Sequence, residues 1–502
     1  MPEPPLAVVD IGSNSGRMIV VRLSTAGCLE IISDARTPLR LVGEIDSEGR
    51  LGSAAVERIV AAVRDFQSIA VAARAVRTVG VATAAVREAV NGARVVERVR
   101  RDTGLEITVI DGEEEARLAF LGAVHGLPVE DGLLVDVGGG SLEISQFRER
   151  RLSRSWTLPL GALRLTGRFL VADPPRASEI SQLCQHTATT LADDKVPPLT
   201  GEQRMVGSGG TIRNIAKMHH ATLTYPIPRL HGYVLGRREV RDIASRVCSR
   251  RLSRRAALAG LSSDRADSIT GGALAVQVVM EMLGASDLVV SGQGLREGVA
   301  LARLGGRLPS SSAVREASVS ALVSRFTTCD SARAQRRRRM VAALIDMLDP
   351  ETLPELREAL DHAATLLDVG RSVDYYHRWE HAATIVLAAD LRGFSHRTIA
   401  MLASLIERAG RDRASLPGGS VLLSADDRRA IGRAAVVLAL ADELERRLPP
   451  RRLPTLQHRR RKRALVLSVP MTHQWQPAGV ADRFRRVFGE ALVIEPAGSM
   501  TS

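Results

Sequence analysis

One short pattern occurs twice in this chain, and it restricts the possible folds more than any other feature. The first copy is residues 10–15 (DIGSNS), and the second, 126 positions later, is residues 136–141 (DVGGGS). Each copy follows a short apolar run and precedes a second run of alternating residues, which predicts strand, tight turn and strand. Two such units indicate two similar lobes that hold one ligand between them.

Both turns have the chemistry of a phosphate cradle. Glycine lets an anion approach the backbone, and successive backbone N–H groups form an anion-binding concavity. An acid ends the strand before each turn, Asp10 in the first copy and Asp136 in the second, where a carboxylate can hold a divalent cation. The residues predicted to bind phosphate are Gly12, Ser13, Asn14 and Ser15 in the first turn and Gly138, Gly139, Gly140 and Ser141 in the second.

Two further glycine-rich stretches each connect a predicted strand to a predicted helix. The third turn contains Gly209, Gly210 and Thr211, and the fourth spans residues 287–298. A helix that begins at such a turn presents its N–H groups to an anion, so we predict phosphate contact at the third turn in preference to a purely structural junction. For the fourth turn a structural role is at least as good an explanation.

Composition narrows the ligand class. The net charge is +13 and almost all of the positive charge is arginine, with lysine only at 195, 217 and 462. The arginine fork matches phosphate and favours a polyanionic ligand, although biased genomic composition explains the excess equally well. Aromatic residues make up 3% of the chain, which argues against base stacking, so no nucleic-acid partner is expected.

Hydropathy and cysteine spacing predict the compartment in which the protein is found. No apolar run is long enough to span a bilayer, and the N-terminus shows no export signal. The four cysteines are scattered without metal-binding spacing. We therefore expect a reduced, cytoplasmic protein with buried thiols and no membrane partner.

The predicted fold class is α/β, with a change of character after the fourth turn. Alternating strands and helices predict one lobe over residues 1–125 and a second over 126–304. Residues 313–450 read almost entirely as amphipathic helices, and residues 463–502 predict a small C-terminal α/β cap.

Six motifs, taken together, resemble the exopolyphosphatase / guanosine pentaphosphate phosphohydrolase family of the actin, sugar-kinase and heat-shock ATPase superfamily. They follow the family's order over about 300 residues, at 9–15, 82–87, 112–118, 135–143, 207–211 and 291–298. The resemblance implies two actin-like (ribonuclease H-like) lobes, then an HD-like helical domain, the cap and a homodimer. It also implies that the fourth turn stands where superfamily relatives meet a nucleoside.

The resemblance further implies hydrolysis of a terminal phosphoanhydride bond with Mg²⁺ or another divalent cation. Glu115 then corresponds to the general base, Asp136 and Glu143 to the metal-site acids, and Arg87 to a phosphate-binding residue. Asp10 either caps its turn or meets the metal through water. Each of these residues also has a possible non-catalytic role. Glu115 would then be a helix N-terminal carboxylate, Glu143 an exposed strand residue, and Arg87 a member of a surface ion pair.

We expect an exopolyphosphatase, which removes terminal phosphate from inorganic polyphosphate. Phosphoryl transfer needs positioning, charge neutralisation and an oriented water, and the predicted residues supply all three. Guanosine pentaphosphate presents the same terminal phosphate, so its hydrolysis is the nearest alternative. A non-catalytic polyanion-binding protein and an ATP-dependent kinase are the others.

The helical region departs from a metal-dependent HD hydrolase. Leu367 and Asp368 stand where a His-Asp pair is required, and no histidine lies between 313 and 361. We expect a structural or substrate-channel domain without its own metal site. His377 and His381 can share a helix face, for packing or phosphate contact. The arginine run 336–339 is predicted to be either a solvated helix face or a track for long polyphosphate.

Overall fold

The duplicated pattern builds two sheets of the same plan. The strands of the computed structural model in this region are β1 (Leu6–Ile11), β2 (Ser15–Leu23), β3 (Leu29–Pro38), β4 (Arg77–Ala82), β5 (Ile107–Val109), β6 (Gly132–Val137), β7 (Leu142–Arg148), β8 (Arg151–Leu158), β9 (Arg204–Ser208), β10 (Val234–Gly236) and β11 (Asp287–Val290). Strand β1 pairs antiparallel with β2 and parallel with β4, and β6 pairs antiparallel with β7 and parallel with β9. The sheet orders are β3-β2-β1-β4-β5 and β10-β11-β9-β6-β7-β8.

The structure describes residues 3–24, 28–41, 48–304, 308–412, 416–448, 456–461, 463–469 and 475–496. The chain divides into two units. The first consists of Met1–Leu223 and Arg229–Ala317, and the second of Thr224–Pro228 and Ser318–Ser502. Both sheets above belong to the first unit.

Helices cover the sheets of the first unit. They are α1 (Ser53–Ala72), α2 (Ala84–Glu88), α3 (Gly92–Thr103), α4 (Gly112–His125), α5 (Ala162–Phe169), α6 (Ala177–Asp193), α7 (Gly209–His220), α8 (Arg237–Cys248), α9 (Leu252–Arg255), α10 (Ile269–Met282) and α11 (Leu295–Leu304). The next helix, α12 (Ser311–Val323), begins in the first unit and ends in the second. Strand β1 is buried on both faces, which explains its nearly continuous apolar sequence. One face of its sheet packs on α1 and α3, and the other shares a core with α4 and α11. The predicted α/β architecture of two similar lobes is confirmed.

The parallel strands bring the predicted turns together. Strands β1 and β4 share one direction, as do β6, β9 and β11. The carboxyl ends of parallel strands lie at one edge of a sheet, so each lobe presents its glycine turns at a single edge. The first unit therefore places all four turns around one cleft.

The second unit is helical with a small sheet. Its helices are α13 (Ser331–Leu348), α14 (Pro354–Leu366), α15 (Arg378–Ala388), α16 (His396–Gly410) and α17 (Ala425–Glu445), followed by α18 (Ala478–Phe488). The strands β12 (Gln457–Arg461), β13 (Ala464–Val469) and β14 (Ala491–Pro496) form the sheet, in which α18 links the parallel pair β13 and β14. Apolar faces of the helices and of this sheet share one core.

The arginine run on α13 is only partly solvated: Arg339 is exposed and Arg338 is half-exposed, whereas the other two pair with buried acids. Arg337 is fully buried, and its guanidinium lies 2.7 Å from Asp368 and 3.1 Å from Asp442. Arg336 pairs with the buried Glu445 at 2.6 Å. Both predictions for this run placed its guanidiniums in solvent, and both are wrong for Arg337, because carboxylates from α17 and from the end of α14 neutralise it inside the core. Asp368, the acid of the incomplete HD pair, is thereby committed to an ion pair.

The other residues singled out in the sequence have ordinary environments. His377 precedes α15 and bonds to Asp374, while His381 lies on the helix itself. None of the four cysteines, all of which lie in the described ranges, forms a disulfide; Cys28 and Cys248 are buried and the other two are half-buried. Within the described ranges, no helix is both long enough and apolar enough to cross a bilayer.

Candidate active site

A cavity of about 160 Å³ lies between the two lobes where the glycine turns meet. Fourteen of the sixteen residues predicted for the site line this cavity. They are Asp10, Gly12, Ser13, Asn14, Ser15, Glu115, Asp136, Gly138, Gly139, Gly140, Ser141, Glu143, Gly209 and Gly210. The fold thus brings together residues that are up to 200 positions apart in the chain.

The first two turns have the same internal geometry. The N–H of Gly12 donates to the carbonyl of Ser15 at 3.2 Å, and the N–H of Gly138 donates to that of Ser141 at 3.0 Å. Among the described residues, the two N–H groups between these positions have no protein acceptor, at 13 and 14 in one turn and at 139 and 140 in the other. Two adjacent N–H groups of this kind form an anion-binding concavity in each lobe.

The residues opposite the two strand-ending acids differ between the lobes. Asp136 faces Glu143 across β6 and β7, whereas Asp10 faces Arg17 across β1 and β2. Directly opposed side chains on one sheet face are close neighbours, and two like charges there are destabilising. Burial, then the charges of Asp136 and Glu115, raise the pKa of Glu143 to about 8. The second lobe therefore has a place for a cation, and in the first lobe Arg17 already supplies the positive charge.

These acids fit a divalent cation. Asp10 is also deprived of water: its Oδ1 is buried without a hydrogen-bond donor, and burial raises its pKa to about 6. Carboxylate oxygens are the ligands that Mg²⁺ prefers. Asp136 and Glu143 face each other and Asp10 lines the same cavity, so a divalent cation there would offset the repulsion between the opposed acids.

Glu115 projects from the first turn of α4. Asp111 caps this helix by accepting the N–H of Glu114 at 2.8 Å. Arg87 donates one N–H to Glu115 Oε2 and another to the carbonyl of Ile110, both at 2.9 Å. Burial raises the pKa of Glu115 to about 7, and the hydrogen bond and charge of Arg87 oppose that rise. A carboxylate in this state is suited to accept a proton near neutral pH.

The third turn makes a close approach to the acid of the second. Gly209 has a φ of +87°, and a Cβ there would lie 2.5 Å from Asp136 Oδ1. The Ser208 hydroxyl donates to the other oxygen of the same carboxylate. Only glycine combines this backbone conformation with that proximity, so the strand-to-helix turn holds Asp136 in place.

Two predicted phosphate contacts do not line the cavity. Arg87 lies against Glu115, as described, and the partner is the predicted base instead of a surface acid. Thr211 is 1% exposed, and its methyl packs against Gly272 of α10. Both side chains therefore contact other residues of the protein instead of the cavity.

Sequence reasoning missed the main cations of the site. Among the described residues, four arginines line the cavity: Arg17, Arg213, Arg265 and Arg296. Burial, reinforced by the neighbouring guanidiniums, lowers the pKa of Arg17 to about 9. Three of the four lie within or next to the glycine motifs, where they were detectable. Arg265 stands in a short 3₁₀ turn at Ser263–Arg265 and lies against Gly210, so it had no such signal.

Comparison with known proteins agrees with this constellation of turns, acids and arginines. The sequence model of the Ppx/GppA phosphatase family matches residues 19–306, and that of Ppx/GppA phosphatase domain III matches residues 314–477. The chain belongs to the Ppx/GppA phosphatase family. The recognition made from the six motifs is therefore confirmed.

Curated relatives and solved structures of Ppx/GppA proteins match about 60% of this chain. The chain is 31% identical over 318 residues to Exopolyphosphatase 1 of Mycobacterium tuberculosis, an alignment that covers 62% of this chain and 92% of that protein. It is 33% identical over 305 residues to Exopolyphosphatase 1 of Mycobacterium leprae, covering 60% and 89%. The crystal structure of the Aquifex aeolicus family member superposes with a TM-score of 0.54 at 29% identity, covering 60% of this chain and 97% of that one.

Proposed function

We propose that this Ppx/GppA protein is an exopolyphosphatase that releases orthophosphate from the end of inorganic polyphosphate. The observation that carries the proposal is the convergence of Glu115, the opposed acids Asp136 and Glu143, and four arginines on one small cavity. A terminal phosphate has three charged oxygens, which require donors and cations on several sides. The cavity offers N–H pairs from two lobes and guanidiniums around them.

In the proposed reaction the protein positions the phosphate and removes one proton. The N–H groups of the first two turns hold the terminal phosphate, and the arginines neutralise the rest of the chain end. Glu115 accepts a proton from a water whose oxygen attacks the terminal phosphorus. The bridging P–O bond breaks, and the products are orthophosphate and a chain one phosphate shorter. Arg87 keeps Glu115 oriented and partly ionised.

Asp136 and Glu143, with Asp10 through water, would hold Mg²⁺ or another divalent cation. When bound, such an ion supplies charge neutralisation at the phosphoryl oxygens. A cytoplasmic location and a homodimer are further parts of the proposal, supported by the free thiols and by the family respectively. Titration of activity with metal and sedimentation of the purified protein test the metal and the dimer.

The substrate that we propose is polyphosphate and not guanosine pentaphosphate. The relatives at 31% and 33% identity bear the name exopolyphosphatase. Of the described residues that line the arginine-rich cavity, none has an aromatic side chain on which a base could stack. Turnover of both compounds at one Mg²⁺ concentration compares them directly. A higher kcat/KM for guanosine pentaphosphate would overturn the preference.

The test of the catalytic assignment is Glu115→Gln, assayed by release of orthophosphate from long polyphosphate. We expect a loss of about 10²-fold or more in kcat, because general-base catalysis contributes on that order. Glu113→Gln is the matched control, since Glu113 is an exposed glutamate in the same helical turn. Phosphate release by Glu115→Gln at the native rate would remove Glu115 from the mechanism.

A further inference from the structure

The third and fourth glycine turns lie side by side at the carboxyl edge of one sheet. Strands β9 and β11 are adjacent and parallel, and each runs through a glycine turn into a helix, α7 and α11. Residues of both turns line the cavity, among them Gly209, Gly210 and Gly294. What fills the gap between the two turns therefore limits the size of the group that can enter the cavity from this side.

A single side chain spans the gap. Arg213 of α7 donates from Nε to the carbonyl of Gly209 at 3.1 Å, and from Nη1 to the carbonyl of Gly292 at 2.9 Å. It thus joins the two turns through a planar, rigid group. An arginine has five N–H donors, so up to three remain for a ligand in the cavity that this residue also lines.

Backbone N–H groups of the fourth turn already donate to other groups of the protein. Its three successive N–H groups all have protein acceptors: Gly292 donates to His231, Gln293 to the Ser291 hydroxyl, and Gly294 to Glu297. By contrast, the N–H groups at 13, 14, 139 and 140 face no acceptor among the described residues. These three backbone N–H groups are therefore not available to an anion.

Close helix packing fixes the end of the fourth turn. A Cβ on Gly122 of α4 would lie 1.9 Å from the carbonyl oxygen of Gly294, and one on Gly298 would lie 1.7 Å from that of Leu118. The backbones of α4 and α11 are thus in direct contact. The turn cannot retreat from Arg213 without separating these helices.

We propose that Arg213 is a specificity-determining residue, which restricts the site to phosphate chains by filling the gap between the third and fourth turns, so that a nucleoside has no room there. The inference rests on the proposed function and deepens it. The cavity of about 160 Å³ is well below the roughly 300 Å³ at which sites for organic ligands begin. It has room for phosphate units and guanidiniums but not for a buried base and ribose.

The test compares inorganic tripolyphosphate with guanosine triphosphate, two compounds with the same triphosphate end. For each protein, kcat/KM is measured for both, together with binding by calorimetry. In Arg213→Ala the guanosine triphosphate to tripolyphosphate ratio should rise about tenfold or more, since a block to one ligand is removed. Arg213→Lys keeps the charge but lacks the fork that joins two carbonyls, so its ratio should also rise.

Arg265→Ala is the matched control, because Arg265 lines the same cavity without bridging the turns. It should weaken both compounds about equally and leave the ratio within about twofold. Thermal unfolding identifies any variant that does not fold. Equal losses for both compounds in Arg213→Ala and Arg213→Lys would overturn the proposal. Failure of the wild-type protein to hydrolyse polyphosphate would instead refute the proposed function, while the calorimetric ratio would still test the role of Arg213.

Discussion

Replacing Arg87 by methionine separates two roles that the same residue can have in this site. The structure places its guanidinium 2.9 Å from Glu115, with the two side chains 24% and 19% exposed. In this arrangement Arg87 holds the base ionised. If it instead bound substrate phosphate, as the family motif implies, its loss would weaken substrate binding.

The magnitude follows from the contact. A hydrogen bond to a charged group contributes about 1.5–3 kcal/mol, and partial exposure reduces this to about 1–2 kcal/mol. Since about 1.4 kcal/mol corresponds to one pKa unit, the pKa of Glu115 in Arg87→Met should rise by about one unit. The base must be ionised to act, so activity falls as pH drops through this pKa. The acid limb of the kcat profile, near pH 7 from the burial of Glu115, should move upward by about one pH unit.

The assay is orthophosphate release from polyphosphate between pH 5.5 and 9.5, at one saturating Mg²⁺ concentration, because a bound cation lowers the pKa in both proteins. Arg87→Lys, which retains a cation, should show a smaller displacement. Arg87→Met should recover most of its activity above pH 8.5. An unchanged limb with a raised KM would refute the reasoning and assign Arg87 to the substrate.

Three further outcomes are expected. Burial raises the folded-state pKa of the site's acids, so their ionisation between about pH 4.5 and about pH 8 lowers the stability of the metal-free protein. Mg²⁺ should therefore raise Tm more at pH 8.5 than at pH 6. In Glu143→Gln this difference between the two pH values should disappear. Arg337→Met should lower the unfolding free energy of the second unit by about 3–5 kcal/mol in urea, because it strands buried carboxylates, whereas Arg338→Ala, which breaks a half-exposed pair, should cost less than about 1 kcal/mol. Gly122→Ala should destabilise by about 3 kcal/mol and lower kcat, because the added methyl separates α4 from α11; unchanged thermal unfolding would contradict this packing.

The two copies of the duplicated turn show how much of the site a local sequence pattern can predict. Asp10 and Arg17 have the same spacing as Asp136 and Glu143, and each pair lies across one antiparallel ladder. The spacing indicated a strand, a turn and a strand, and so indicated that the acid and its partner are neighbours. It could also have shown that one pair is complementary and the other repulsive, which makes Arg17 a detectable member of the site.

Other members of the site had no local signal. Arg265 reaches the cavity from a short turn outside the glycine motifs, and Arg87 was assigned to phosphate although it bonds to Glu115. The run at 336–339 resembled a surface, because its neutralising acids Asp442 and Glu445 lie about a hundred residues further along the chain. Charge alone does not reveal whether an arginine is solvated or paired.

The duplicated α/β architecture, the glycine turns, and the acids that end or follow their strands are all predictable from the amino-acid sequence. They depend on hydrogen bonds and backbone conformations within a few residues, which residue type and spacing control. The three-dimensional fold was needed to show which guanidinium meets which carboxylate, and that Arg213 joins two turns more than eighty residues apart. Such pairings depend on the burial of charge between separate elements, and burial is a property of the packed chain.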